Sequence, residues 1–169
     1  MRFIFGFLTC LFILAILGFF VAWRGLFPVS AKASSPPRWE KKIAGFALDH
    51  ALSKQAPLKE NPLPVTEANL EKGMEIYQQS CSTCHGDVLK RSKWGTTSFY
   101  PRVPQFGKKA SDMQESQIFW IEKNGIKYTG MASFEPFLTD NEMWQVAMFL
   151  RHLDTLPPKV NAQWHTPEE

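Results

Sequence analysis

Two cysteines and a histidine lie together at Cys81, Cys84 and His85, in the order C-x-x-C-H. Two thiols on one helical turn can each form a thioether to a vinyl group, and the adjacent histidine can present its imidazole to an iron. The spacing therefore predicts covalent attachment of a haem. A redox dithiol and half of a zinc site are the alternatives. Zinc would need a second pair of ligands, but the chain has no other cysteine after its first apolar run. A thioredoxin-like dithiol would need a βαβ surround, whereas the neighbouring sequence is helical in pattern.

Helical patterns lie on both sides of this motif and would position it. Before it, Thr66 is a candidate N-cap, with Glu67 close to the positive end of the helix that follows. After it, we expect a middle helix over 112–124 and a last helix over 140–153. The last helix has apolar residues at helical spacing and should stop before the prolines at 157–158.

Residues 66–158 resemble a class I cytochrome c domain, and this resemblance covers just over half of the chain. Members of that family carry a glycine and an aromatic residue eight and four positions before the first haem cysteine, where this chain has Gly73 and Tyr77. The resemblance implies an all-α fold with three to four helices around one covalent haem c. It also implies that the glycine lets the first and last helices cross closely, with Phe149 as the aromatic partner.

The resemblance further implies a methionine as the second axial ligand, in a loop before the last helix. Met131 lies in such a loop, residues 124–132, whose glycines permit tight turns. The other methionines lie at the N-terminus, in helical patterns or in a polar stretch: Met1, Met74, Met113, Met143 and Met148. We therefore expect His85 and Met131 to bind the iron, and Cys81 and Cys84 to hold the haem covalently. A thioether ligand favours ferrous iron, which predicts a high-potential carrier.

A basic segment follows the motif, with no acidic residue between Val88 and Ser111. Its cations are Lys90, Arg91, Lys93, Arg102, Lys108 and Lys109. Some of them, with Trp94 and Tyr100, could neutralise or hydrogen-bond haem propionates, and others could steer acidic redox partners. Part of this segment, residues 99–104, resembles a family loop in which a proline carbonyl accepts the Nδ1 hydrogen of the axial histidine. Pro101 and Pro104 are both candidates for that role.

Close to the N-terminus, residues 3–22 form a run of twenty uncharged residues. A helix of this length is long enough to cross a hydrocarbon core. We interpret residues 1–24 as a transmembrane anchor, and an uncleaved signal is one form that such an anchor takes. An A-x-A stretch at 31–33 keeps cleavage open as an alternative. Residues 25–65 are predicted to be a proline-rich linker with a short amphipathic helix, which could dock on the domain or lie on lipid. Residues 159–169 are predicted to be a C-terminal tail.

The charge distribution limits the possible partners. The chain has 19 basic and 16 acidic residues, and three of the basic ones flank the apolar run, so the remainder is neutral. This balance argues against a nucleic-acid partner.

The predicted function is that of a single-electron carrier in a membrane electron-transfer chain, which is not itself an enzyme. A quinol-oxidising complex would be its donor and a terminal oxidase its acceptor. The alternative is a haem peroxidase or gas-binding sensor with an open distal site. The resemblance implies a single-pass protein of the cytoplasmic (inner) membrane, with the lipid bilayer as a partner and the haem domain facing the periplasm.

Overall fold

The computed structural model of the chain describes residues 2–26, 29–31, 36–56, 59–107 and 109–166. The described residues form helices and loops with no strand, which confirms the all-α prediction. The helices are α1 (Arg2–Trp23), α2 (Arg38–Gln55), α3 (Glu67–Ser80), α4 (Ser82–His85), α5 (Lys93–Thr97), α6 (Glu115–Asn124), α7 (Asp140–Arg151) and α8 (Pro158–His165). The chain divides into two units, residues 1–33 and 34–169. Parts of the predicted linker and of the A-x-A stretch, together with Lys108 and residues 167–169, lie outside the described residues.

The first unit contains α1, and none of the side chains of this helix is buried. Its 22 residues correspond to about 33 Å of helix, slightly more than a hydrocarbon core of about 30 Å. Among the described helices, α1 alone is long and apolar enough to cross a membrane, by length and composition. The helix is therefore compatible with a single-pass anchor, and an N-terminal signal sequence would satisfy the same criteria.

The second unit is built around the packing of α3 against α7. Thr66 caps α3 as predicted, because its Oγ1 accepts a hydrogen bond from the backbone N–H of Asn69 at 3.2 Å. At Gly73 the two helices approach so closely that a Cβ would clash with the backbone carbonyl of Gln145. This position confirms the role predicted for Gly73, since only a residue without a side chain allows the crossing.

An aromatic cluster fills the space beside this crossing. The Tyr77 ring lies 5.7 Å from the Phe149 ring, as predicted, and both rings contact Trp164 of α8 at centroid distances of 5.7 and 5.2 Å. These separations and tilted or edge-on orientations are favourable for aromatic pairs. Residues of three helices therefore form one buried cluster.

The last helix is the main difference from the sequence prediction. Residues 159–169 were expected to be a tail, but α8 begins at Pro158 and buries Val160 and Trp164. Proline is well tolerated at the first position of a helix, where its missing N–H costs no hydrogen bond. The proline pair that ends one helical pattern therefore also starts the next helix. At the surface, Gln163 Nε2 donates to Glu71 of α3 at 2.7 Å.

The middle helix, α6, packs on α7 through stacked rings of Phe119 and Trp144, whose centroids are 4.2 Å apart. It begins at Glu115, three residues later than expected, where the backbone N–H of Gln114 donates to Oε1 of Gln117 at 3.0 Å. It ends at Asn124, as expected. The packing leaves the loop after α6 at the edge of the helical core.

Candidate haem site

The C-x-x-C-H motif forms one tight helical turn after α3. The backbone N–H groups of Cys84 and His85 both donate to the carbonyl of Cys81, at 3.1 and 2.9 Å. The two cysteines are half-buried free thiols. The turn therefore brings together three of the four predicted site residues, with both thiols available for thioether bonds.

The imidazole of His85 is oriented by Pro104. Its Nδ1 lies 2.9 Å from the Pro104 carbonyl oxygen. Because a carbonyl can only accept, Nδ1 carries the hydrogen, and Nε2 keeps the lone pair that a metal would bind. This contact identifies Pro104, rather than Pro101, as the proline that holds the ring. The Phe106 ring stacks on the imidazole at 5.0 Å, with 16° between the ring planes.

The environment of His85 favours its neutral form. Burial lowers the pKa of its imidazole, and the hydrogen bond to the Pro104 carbonyl opposes that shift only in part. A neutral imidazole is the form that coordinates metals. The site thus holds His85 in the protonation state and tautomer that axial ligation requires.

Gln105 connects the motif to the next segment of the chain. Its Nε2 donates to the Cys84 carbonyl at 3.0 Å, and its Oε1 accepts from the backbone N–H of Ser92 at 2.8 Å. Sequence reasoning missed this residue, because nothing in the local pattern distinguishes a bridging glutamine from a surface one. Gln105 therefore holds the C-x-x-C-H turn against the backbone at Ser92, in addition to the contact between His85 and Pro104.

The aromatic cluster also holds the site. Tyr77 donates a buried hydrogen bond from its hydroxyl to the Gly86 carbonyl, directly after His85, at 2.7 Å. Trp164 donates from Nε1 to the Gly107 carbonyl at 3.2 Å. The aromatic cluster therefore anchors both ends of the segment that contains Pro104 and Gln105, and one of these ends is next to His85.

Met131 lies in the loop after α6 and is half-buried. The loop is closed by a hydrogen bond from the Ile126 N–H to the Met131 carbonyl at 2.9 Å, and the Met131 N–H donates to Thr129 Oγ1 at 3.1 Å. At Gly130 the loop contacts the Phe99 ring so closely that a Cβ would clash with it. This loop therefore packs on the segment that carries Pro104, while ligation by Met131 stays a prediction.

Two of the residues expected near the propionates have other partners in the structure. The Tyr100 hydroxyl donates to the Glu40 carboxylate of α2, at 2.7 Å from both oxygens. Arg102 donates to the carbonyls of Thr97 and Phe99 at 2.6 and 2.7 Å. Tyr100 thus ties α2 to the haem domain, and Arg102 supports the loop that contacts Gly130.

Glu122 is a buried acid that sequence reasoning did not identify. Neither of its carboxylate oxygens has a hydrogen-bond partner. Burial raises its pKa well above the ordinary value, so the neutral acid is favoured. The pKa of Cys81 is also raised, mainly by burial and further by the charge of Glu122. Glu122 is therefore a buried acid of α6 that is favoured in its neutral form.

The residues present fit a c-type haem. They provide two unpaired thiols, one imidazole with its Nε2 free, and a glycine-containing methionine loop against the same segment. Together with the close crossing of α3 and α7, this arrangement defines a class I cytochrome c domain.

Comparison with known proteins supports this class. Residues 68–150 match the model of the family described as cytochrome c oxidase, cbb3-type, subunit III. This match supports a class I cytochrome c domain over residues 68–150, and the chain has an additional apolar helix at its N-terminus. A search of curated proteins found none that matches the chain.

Proposed function

We propose that this chain is a membrane-anchored single-electron carrier with one haem c, attached through Cys81 and Cys84 and ligated by His85 and Met131. The hydrogen bond between His85 Nδ1 and the Pro104 carbonyl is the observation that carries the proposal, because it leaves Nε2 unprotonated and able to bind iron. When bound, the haem would supply reversible one-electron chemistry at its iron.

The protein's own residues would set the conditions for that chemistry. Pro104 keeps the imidazole in one tautomer, and Phe106 limits its rotation by stacking on one face. The soft thioether of Met131 would favour ferrous iron and raise the potential relative to a second histidine. Two axial protein ligands would leave no position for a substrate, as electron transfer without bond chemistry requires.

We further propose that residues 1–24 remain as the anchor, that 25–65 act as a spacer and that 66–158 form the haem domain. The haem domain would face the periplasm, because haem is attached to c-type cytochromes outside the cytoplasmic membrane. A quinol-oxidising complex would be the donor. The matched family is named for a subunit of a terminal oxidase, which supports a terminal oxidase complex as the acceptor.

Carbon monoxide binding tests the closed iron site. The Soret band of the reduced wild-type protein should not move with carbon monoxide, whereas Met131→Ala should open a position and shift the band. Met113→Ala is the matched control, because Met113 is also half-buried but lies in another loop. A carbon monoxide shift in the wild type would contradict the carrier and favour a peroxidase or gas sensor. The same response in both variants would contradict ligation by Met131.

A further inference from the structure

Helix α2 is attached to the haem domain by one side. The Glu40 carboxylate accepts the hydroxyl hydrogen bond of Tyr100, and Leu52 is only 1% exposed. Leu48 is half-buried on the same side. The bond to Tyr100 and the burial of Leu52 lie on one side of α2, and the opposite face is exposed.

The outward face of α2 is apolar and exposed. Trp39, Ile43 and Phe46 are 65%, 62% and 73% exposed, and His50 stacks beside Phe46 with ring centroids 6.0 Å apart. Spacings of three and four residues place these side chains on one stripe of the helix. Three large apolar side chains on a single exposed stripe are typical of a docking surface rather than of isolated surface residues.

Basic side chains border this stripe on both sides. At about 100° per residue, Lys42 lies on one side of it and Lys54 on the other. Both lysines are exposed. Their aliphatic stems can lie along an apolar surface while the ammonium groups reach phosphates. Asp49 lies on the same side as Lys42, and the only other acid of the helix, Glu40, is bound to Tyr100.

The chain connects α2 to a helix that is compatible with a membrane span. Helix α1 ends at Trp23 and α2 begins at Arg38. Even a fully extended connection of this length reaches only about 50 Å. If α1 lies in a bilayer, the lipid surface is therefore always within reach of α2. This tether gives the lipid surface a high effective concentration around α2.

We propose that the stripe of Trp39, Ile43 and Phe46 docks on the surface of an anionic bilayer, with Lys42 and Lys54 at the headgroups. Tryptophan and lysine are suited to this interface, where one end of a side chain is apolar and the other is hydrated. The proposal rests on the anchor in the proposed function. Its consequence is that α2, through Tyr100, holds the haem domain in a defined orientation to the membrane.

Spin labelling of the full haem-loaded chain, with one copy per lipid nanodisc, tests this docking. In a Cys10→Ser background, a nitroxide at Phe46→Cys is compared with one at Ala44→Cys. Position 44 is exposed but lies on another side of α2. Oxygen concentrates in lipid and a nickel chelate in water. We expect the oxygen-to-nickel collision ratio to be several-fold higher at 46 than at 44 in discs with anionic lipid. A label at Ile43→Cys should give the same high collision ratio as the label at 46. Because this variant keeps the Phe46 ring, it shows that the result does not depend on removing that ring.

Each outcome separates docking from anchoring. The intact mass of the purified chain reports whether residues 1–24 are retained, so loss of the anchor would contradict the proposed function rather than the docking. With the anchor retained, equal collision ratios at 44 and 46 would overturn the docking. A label at 46 that is shielded from both reagents would overturn it in favour of a protein contact. An unchanged ratio in discs of purely zwitterionic lipid would contradict the role of the two lysines.

Discussion

Truncation of Trp164 tests whether α8 is part of the folded haem domain. Trp164 is 2% exposed, contacts the rings of Tyr77 and Phe149, and donates to the Gly107 carbonyl. Replacing a buried tryptophan by alanine costs about 3–5 kcal/mol, because the transfer free energy is lost and a cavity remains. With a urea m-value of about 2 kcal/mol/M, a loss of about 4 kcal/mol would lower the unfolding midpoint by about 2 M.

Urea unfolding of the detergent-solubilised full chain, followed by far-ultraviolet circular dichroism, measures this loss. Trp164→Phe keeps an aromatic ring but loses the hydrogen bond to Gly107, so it should cost about 1–3 kcal/mol. His165→Ala is the matched control, since its exposed side chain is next in the same helix and should change the stability by less than about 0.5 kcal/mol. If Trp164→Ala and His165→Ala unfold at the same urea concentration, α8 is a tail and the interpretation of the cluster is wrong.

Three further changes test other parts of the structure. Gly73→Ala should lower the unfolding midpoint by more than Gly45→Ala, because its Cβ would meet the Gln145 carbonyl whereas the space at Gly45 is open; equal midpoints would contradict the close crossing. Burial raises the pKa of Glu122, so the folded protein holds this proton to a higher pH than the unfolded chain does. Its contribution to the free energy of unfolding is therefore complete below about pH 4.5 and falls as the pH rises toward the folded-state pKa. Glu122→Gln removes this titration and should flatten the decline of stability with pH. Parallel pH profiles for wild type and variant would refute this. Thr139→Ala should cost about 1 kcal/mol in urea unfolding, because Thr139 Oγ1 accepts from the first turn of α7; no change would argue against the cap.

The helix crossing was predictable because its determinants are local. Thr66 has the side chain of an N-cap, and the apolar residues of α7 repeat at helical spacing. Gly73 and Tyr77 were assigned by their distance from Cys81 in the family pattern, and the structure places both at the crossing. Such features depend on a few neighbouring residues, so the sequence alone carries them.

Other features depend on long-range contacts, which the sequence pattern does not contain. Gln105 is defined by its bonds to Cys84 and Ser92, thirteen or more residues away. The pairing of Tyr100 with Glu40 spans sixty residues, and no local pattern indicates it. For α8, by contrast, a local signal existed, since Val160 and Trp164 are four residues apart behind a proline that is acceptable as the first residue of a helix.

The stability of the fold and the geometry of the haem site depend on the same side chains. Tyr77 packs in the helix crossing and also holds the Gly86 carbonyl, while Trp164 packs beside it and holds the Gly107 carbonyl. Between those two carbonyls lies the segment that orients His85 through Pro104. A substitution that weakens the packing at the helix crossing should therefore also make the orientation of the His85 imidazole less rigid. Because a rigid axial ligand reduces the rearrangement that accompanies a change in iron charge, an electron carrier benefits from building this segment onto the most firmly packed part of its core.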